Sequence, residues 1–346
     1  MTRCAGCGHD FGFFFNSCRN RHCPKCQSAA RDRWVAARTR ELVPLTYFHV
    51  VFTVPHQLSE LMLQNKRVLY ELLFRSVAAT LLEVAANPKR LGAEIGFLCV
   101  LHTWGQTLTH HPHIHCVVPS GGFAPGRARW VRPKCAGFFL PVQVLSKVFR
   151  GKFTDGLKHL FQQKKLGFHG ALESLQEPRS FARFLRTLYQ NEWVVYAKKP
   201  FGGPEHVLHY LARYTHRVAI SNHRLIGMED GKVSFRWRDY AHGRKQRKMT
   251  LAAEEFIRRF LMHVLPKGFV RIRHYGWMAN RGRRERAALC RALLGAEPAP
   301  PPTSAAGSAA PRRCPICGGA VEVVETIIPR ELSRPRPSRR REPDSS

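Results

Sequence analysis

Acidic side chains are scarce in this chain: 24 Asp and Glu face 56 Lys and Arg across 346 residues, a formal net charge of +32. Solubility alone does not call for so large an excess. A polyanion does, since each phosphate neutralised releases condensed counterions, and basic runs recur along the whole chain. Nucleic acid is therefore the expected partner. Long apolar runs are missing too, with none approaching the roughly 20 residues that a bilayer span requires, and no secretory leader opens the chain. A cytoplasmic protein with no membrane partner is expected. In that reducing compartment the 11 cysteines are not expected to form a disulfide framework, and their grouping in pairs points to metal.

The first 27 residues, MTRCAGCGHDFGFFFNSCRNRHCPKCQ, hold five cysteines, two histidines and little that could form a core. A segment of that kind folds only when something cross-links it. Cys4/Cys7 and Cys23/Cys26 are Cys-x-x-Cys pairs separated by 15 residues, which suits two knuckles closing on one tetrahedral Zn²⁺. Cys18 and His22 are spare donors, able to replace one of the four or to support a second ion. Near the other end Cys314/Cys317 forms a lone knuckle, either completed from elsewhere or a remnant. Residues 1–45 are expected to be a zinc-binding domain and 46–295 the main folded domain. Residues 296–346, rich first in Pro, Ala, Ser and Gly and then in Arg, read as a disordered linker and basic tail around that knuckle.

The central pattern is α+β. A helix over about 29–42 precedes YFHVVFTVP (47–55), whose aromatic and β-branched residues read as a strand. Apolar residues at helical spacing from 57 to 86 predict one long or two shorter helices covering a sheet. Strands over 94–108 and 113–122, joined through THHP, predict an antiparallel hairpin. Helices near 141–163, 179–190, 204–214 and 252–263, with strands at 192–198 and 232–240, give an order of antiparallel strands rather than βαβ units.

The densest chemistry is HHPHIHC (110–116). In a strand, residues two apart share a face, so His113 and His115 present two imidazoles side by side while Ile114 turns to the core. That is a two-point metal clamp. Gln106 on the neighbouring strand is the expected third ligand through its amide oxygen, leaving positions for a phosphate oxygen and water. Mg²⁺ or Mn²⁺ fits this role, although imidazole also suits zinc. A zinc hydrolase built on His111, His113 and His115 ranks last, because no carboxylate lies near the run to act as a base. In HVLHYLARYTHRVAI (206–220), Tyr210 and Tyr214 are four residues apart and share a helical face. Taken alone they are the pattern of core aromatics. Beside a metal clamp they read as phenol nucleophiles toward phosphorus.

The segments SCRNRHCPKCQ, YFHVVFTVPH, LHTWGQTLTHHPHIHCVVPSGG, PFGGPEHVLHYLARYTHRVAISNHRL and FVRIRHYGWMANR, within a match from Cys4 to Leu294, resemble the rolling-circle, two-tyrosine HUH transposases of the insertion sequence ninety-one type. The resemblance implies an HUH endonuclease-like antiparallel sheet flanked by helices, with His113 and His115 on a central strand and the nucleophile helix alongside. It implies single-stranded DNA cut at a transposon end to leave a 5′-phosphotyrosine and a free 3′-hydroxyl. Tyr210 and Tyr214 match the family's tyrosine pair: one holds the first cleaved end while the other attacks the second site. Transposon ends and target DNA are then the partners, with host replication or helicase factors exposing single strands. A replication initiator or conjugative relaxase would use the same site, and a decayed element would keep only zinc-dependent DNA binding. Similar transposases carry some tens of residues before the first knuckle, so a shortened N-terminus is expected here, which leaves the zinc donor set open.

Basic segments supply the expected DNA contacts. Arg19, Arg21 and Lys25 surround the knuckles, and Arg217 follows the tyrosines. Arg271, Arg273, Tyr275, Trp277 and Arg281 lie in RIRHYGWMANRGRRER (271–286), where aromatic faces between cations can stack on unpaired bases. RWRDYAHGRKQRKMT (236–250) reads the same way.

Overall fold

The computed structural model describes residues 2–11, 28–39, 41–134, 139–198, 219–240, 242–296 and 313–325. The described strands are β1 (Thr2–Cys4), β2 (Tyr47–Thr53), β3 (Gly96–Trp104), β4 (His110–Pro119), β5 (Gly122–Phe123), β6 (Trp130–Val131), β7 (Val195–Lys198), β8 (Leu225–Glu229), β9 (Lys232–Asp239), β10 (Lys245–Ala252), β11 (Ile272–Gly276) and β12 (Val321–Val323). The helices are α1 (Ser28–Thr39), α2 (Ser59–Gln64), α3 (Lys66–Ala86), α4 (Val142–Gln162), α5 (Pro178–Thr187), α6 (Ala253–Met262) and α7 (Arg283–Leu293). None of these helices is long and apolar enough to cross a membrane.

The chain divides into two compact units, residues 1–17 with 301–346 and residues 18–300. Residue 45 therefore falls inside the larger unit, where Trp34 of α1 packs against a cluster that includes Val43, Tyr47 and Trp277. In the smaller unit β1 pairs antiparallel with β12, so described residues near both ends of the sequence form one ribbon.

The larger unit is built on a five-stranded sheet in the order β11-β3-β4-β2-β7, each neighbour antiparallel. β3, GFLCVLHTW, is buried from Gly96 to Thr103, which explains its continuous apolar run. One face of the sheet packs Phe97, Cys99, Leu101, Ile114, Phe48, Val50 and Phe52 into the main core. α3 covers that face because Leu69, Leu72, Leu73, Val77 and Leu81 recur at helical spacing and are all buried. α4 packs on α3 and adds Phe149, whose ring meets Phe52 at 5.2 Å and Trp193 at 5.1 Å, both edge-on. Gly156 permits the α3–α4 approach, since a Cβ there would collide with Leu72. α5 starts sharply because Pro178 occupies its first turn and the Glu177 carboxylate accepts the Ser180 N–H at 2.6 Å.

The opposite face carries a second cluster, Tyr47, Leu98, Val100 and Val117 under Trp277 and Ala287. Continuing two residues at a time along the same face, the strands present His49, His102, His115 and His113 instead. A separate antiparallel sheet, β10-β9-β8, packs Phe235 with Leu108, Ala219 and Ile220, and α6 leans on it through Phe256 and Phe260. Of this sheet the sequence predicts only β9, because the cations of β10 mask the alternation of Met249 and Leu251.

The β3–β4 connection differs from the expected THHP. β4 begins at His110, and the turn is Gly105–Thr109, with the Thr109 carbonyl accepting from Gly105 N–H at 3.0 Å. Leu108 adopts φ 63°, a left-handed conformation costly for a branched side chain. Its complete burial and the His263 ring, 3.1 Å from its carbonyl, hold it there.

Candidate functional site

β4 is the middle strand of the five. Its alternation sinks Ile114 into the core and turns His113 and His115 to the other face. In the ladder His113 stands directly opposite His102 of β3, while His115 faces Val100. The imidazole centroids are 4.1 Å apart for His102–His115, 4.8 Å for His113–His115 and 5.3 Å for His102–His113. One nitrogen from each lies within 4.8 Å of the others, close enough for a single ion to bridge all three.

His102 is brought to the histidine pair, whereas Gln106, the expected third ligand, makes its contacts elsewhere. The β3–β4 ladder shifts register between His102 and Trp104 and ends there, so Gln106 lies in the turn beyond it. Its amide oxygen accepts the Arg238 N–H at 3.4 Å, and its carbonyl accepts Arg224 Nη2 at 2.5 Å. His102 sits inside the apolar run of β3 as an isolated imidazole, which in sequence is the mark of a core residue. Only the strand register, pairing it with His113, could have revealed it.

Neighbouring groups orient these rings. His113 Nδ1–H donates to the His111 carbonyl at 2.7 Å, leaving Nε2 as the free lone pair. His115 Nδ1 lies 2.7 Å from His49 Nε2, a contact that fixes the plane of the His115 ring. His102 and His115 are buried, and His113 reaches the surface. Burial pushes His102 and His115 well below the usual imidazole range and His113 down to about 4, so all three are neutral at pH 7 with nitrogens able to coordinate. His113 and then the Arg271 guanidinium add to the effect on His102. Three neutral imidazoles this close together fit a divalent ion.

The flanking histidines are structural. His110 Nε2 meets the Tyr70 hydroxyl at 2.8 Å and its Nδ1 the Ser59 carbonyl at 3.0 Å. His263 joins Thr103 Oγ1 at 3.2 Å to the Leu108 carbonyl. Burial lowers His110 to about 3 and His263 to about 4. An unfolded imidazole titrates near 6.5, so below that pH the unfolded chain takes up protons that the folded chain refuses, and stability falls as the pH drops toward 4. Unfolding free energies from urea titrations in EDTA should therefore fall between pH 7 and pH 5, by on the order of 1–2 kcal/mol per group. His263→Gln should flatten the slope; an unchanged slope would contradict the assignment.

The expected DNA-contact residues separate. Arg271 lies beside β3, its carbonyl accepting the N–H of Leu101, the residue before His102, at 2.9 Å. Arg281 is exposed. Arg273 instead makes a two-pronged ion pair with Glu71, 2.6 Å on each arm, and lies over the Phe74 ring at 4.2 Å. Tyr275 is half-buried and stacks on Phe97 at 5.5 Å. Trp277 is a correction: it is 2% exposed, walled by Phe123 and Trp130, and offers no face to a base. Its segment forms the edge strand β11 and the turn after it, so its aromatic residues pack onto the sheet. The 236–250 segment is the β9–β10 hairpin, with Arg236, Arg238, Lys245, Arg247 and Lys248 exposed.

Cys4 and Cys7 converge with Cys314 and Cys317, the four Sγ atoms lying within 4.8 Å of one another. Cys18, His22, Cys23 and Cys26 lie outside the described residues, as do Arg19, Arg21, Lys25, Arg217, Tyr210 and Tyr214.

Residues 96–286 match the family model described as "Putative transposase", and residues 1–54 match the "Transposase zinc-binding domain". The chain is 56% identical over 306 residues to "Putative transposase y4qJ" of Sinorhizobium fredii, covering 88% of this chain and 76% of that protein. It is 27% identical over 327 residues to the "Transposase for insertion sequence element IS801" of Pseudomonas savastanoi pv. phaseolicola, covering 91% of this chain and 76% of that one. No solved structure matches the chain.

Proposed function

The chain belongs to the family of insertion-sequence transposases, and from that premise we propose that it cuts and rejoins single-stranded DNA through phosphotyrosine intermediates in a rolling-circle mode. The observation that supports this reading is the cluster of neutral imidazoles formed by His113 and His115 of the central strand and His102 of its neighbour, with the Arg271 backbone bonded to Leu101 next to it. These three residues would hold a divalent ion of the Mn²⁺ or Mg²⁺ class. When bound, that ion supplies positive charge that draws electron density from a scissile phosphate.

The remaining steps belong to side chains. Arg271 binds a non-bridging phosphate oxygen and fixes the strand against the sheet. The exposed cations of β9 and β10 track the backbone on either side, which makes binding strongly salt-dependent. The phenol oxygen of Tyr210 or Tyr214 attacks phosphorus, the P–O3′ bond breaks, and the phenolic proton ends on the departing 3′-hydroxyl. The 5′-phosphotyrosine conserves the bond energy, so a later 3′-hydroxyl can displace the tyrosine and reseal the strand. A second tyrosine lets another end be cut while the first is still held. Working on unpaired DNA, the enzyme relies on host replication or helicase activity to open the duplex.

The test is a purified reaction with labelled single-stranded DNA from the element's own ends and Mn²⁺, resolved on a denaturing gel. A covalent adduct that vanishes with EDTA and in Tyr210→Phe/Tyr214→Phe is the expected result. Tight DNA binding without any adduct would replace this reading with a protein that recognises ends and performs no chemistry.

A further inference from the structure

The four-cysteine cluster of the smaller unit has the architecture of a finished metal site. Its two halves are the same local structure used twice. In the first, Cys4 N–H donates to the His9 carbonyl at 2.9 Å, Gly8 N–H donates to the Cys4 carbonyl at 3.0 Å, and Gly8 takes φ 71°. In the second, Cys314 N–H donates to the Gly319 carbonyl at 2.8 Å, Gly318 N–H donates to the Cys314 carbonyl at 2.8 Å, and Gly318 takes φ 72°. Each Cys-x-x-Cys-Gly turn thus folds around its thiols with the same left-handed glycine behind the second cysteine. The halves are sewn together by β1 and β12, with Cys4 opposite Val321, and by Ala5 N–H donating to the Ala320 carbonyl at 2.9 Å.

The sulfur geometry agrees. Cys4 and Cys317 Sγ are 3.4 Å apart and Cys7 and Cys314 Sγ 3.7 Å. The edges of a tetrahedron of thiolates about zinc are ~3.8 Å, from Zn–S bonds of about 2.3 Å. The N–H groups of Gly6 and Cys7 point at Cys4 Sγ from 3.3 and 3.4 Å. Bulk is excluded around the sulfurs, since a Cβ on Gly319 would lie 3.2 Å from Cys4 Sγ and 3.3 Å from Cys317 Sγ.

We propose that Cys4, Cys7, Cys314 and Cys317 bind one Zn²⁺ as a tetrathiolate, so that the first knuckle is completed by one at the far end of the sequence and not by Cys23 and Cys26. Cys23, Cys26, Cys18 and His22 are then free of this ion. The metal makes the zinc-binding segment dependent on residues 313–323, and a chain truncated before Cys314 loses it.

Two measurements on the full-length protein test this. Cys314→Ser/Cys317→Ser should lose one zinc equivalent by elemental analysis, and the Co²⁺-substituted protein should lose its tetrathiolate charge-transfer band; Cys23→Ser/Cys26→Ser should keep that band. Because a serine variant can misfold for other reasons, a protease site placed between residues 301 and 312 gives an independent readout with all cysteines intact. After cleavage, the C-terminal fragment should stay with an N-terminally tagged body through a high-salt wash and leave only when a zinc chelator is added. Release without chelator, or a tetrathiolate band lost with Cys23/Cys26 and retained without Cys314/Cys317, overturns the assignment.

Discussion

His115→Ala is expected to slow metal-dependent adduct formation by about 10³-fold or more, since charge stabilisation by a bound ion is worth several kcal/mol. His115 is 6% exposed and lies centrally in the cluster, 4.1 Å from the His102 ring and 4.8 Å from that of His113. Removing it leaves two donors, too few to hold an ion against water. His102→Ala should match it. His49→Ala should do less, lowering Mn²⁺ affinity about 10–100-fold, because that residue only orients His115. Gln106→Ala should leave the rate within about threefold, as its amide is turned to Arg238 and not to the imidazoles. Rates from single-turnover gels, with Mn²⁺ titrated by calorimetry, give the comparison. A cleavage rate that survives His102→Ala but collapses in Gln106→Ala would reinstate the amide ligand and remove the third histidine.

The second large effect is on folding. Trp277→Ala should destabilise the protein by about 3–5 kcal/mol, the range for a large aromatic deleted from a core, which lowers Tm by roughly 10 °C for a unit of this size. The ring closes the second apolar cluster against Phe123, Trp130 and Leu98. Trp277→Phe should cost far less, since the indole N–H has no hydrogen-bond partner among the described residues. Gly276→Ala should be as damaging as Trp277→Ala: its φ is 58°, and a Cβ would strike the Ile95 carbonyl. Calorimetry and binding of a fluorescent single strand separate the possibilities. If Trp277→Ala melted normally but lost affinity for the strand, the residue would be a base-stacking platform after all.

The sequence exposed those parts of the fold whose signal is local. β2, α3, α4 and the β3–β4 hairpin carry their own periodicity, and His113 and His115 declare themselves because strand geometry puts alternate residues on one face. His102 did not, since its partnership with His113 depends on the register between two strands, which a turn of Gly105–Thr109 rather than THHP decides. Trp277 and Tyr275 misled because arginine alternating with aromatic residues is written alike for a nucleic-acid surface and for an edge strand whose aromatics pack inward. Composition left Cys314 and Cys317 open between a knuckle completed from elsewhere and a remnant. The Pro-Ala-Ser stretch before them marks a linker, yet the knuckle beyond it folds against residues more than 300 positions earlier, a contact that no window along the sequence can contain.

That pairing imposes a schedule on biosynthesis. β1 is made before every strand of the five-stranded sheet and its partner β12 after all of them: Cys4 and Cys317 are 313 positions apart. At about 5–20 residues per second the ribosome needs on the order of 15–60 s to cover the interval. Throughout that time β1 waits without its partner, because the strands of the five-stranded sheet all lie between the two knuckles. The small ribbon cannot close until β12 has been made, so its closure follows translation of the second knuckle.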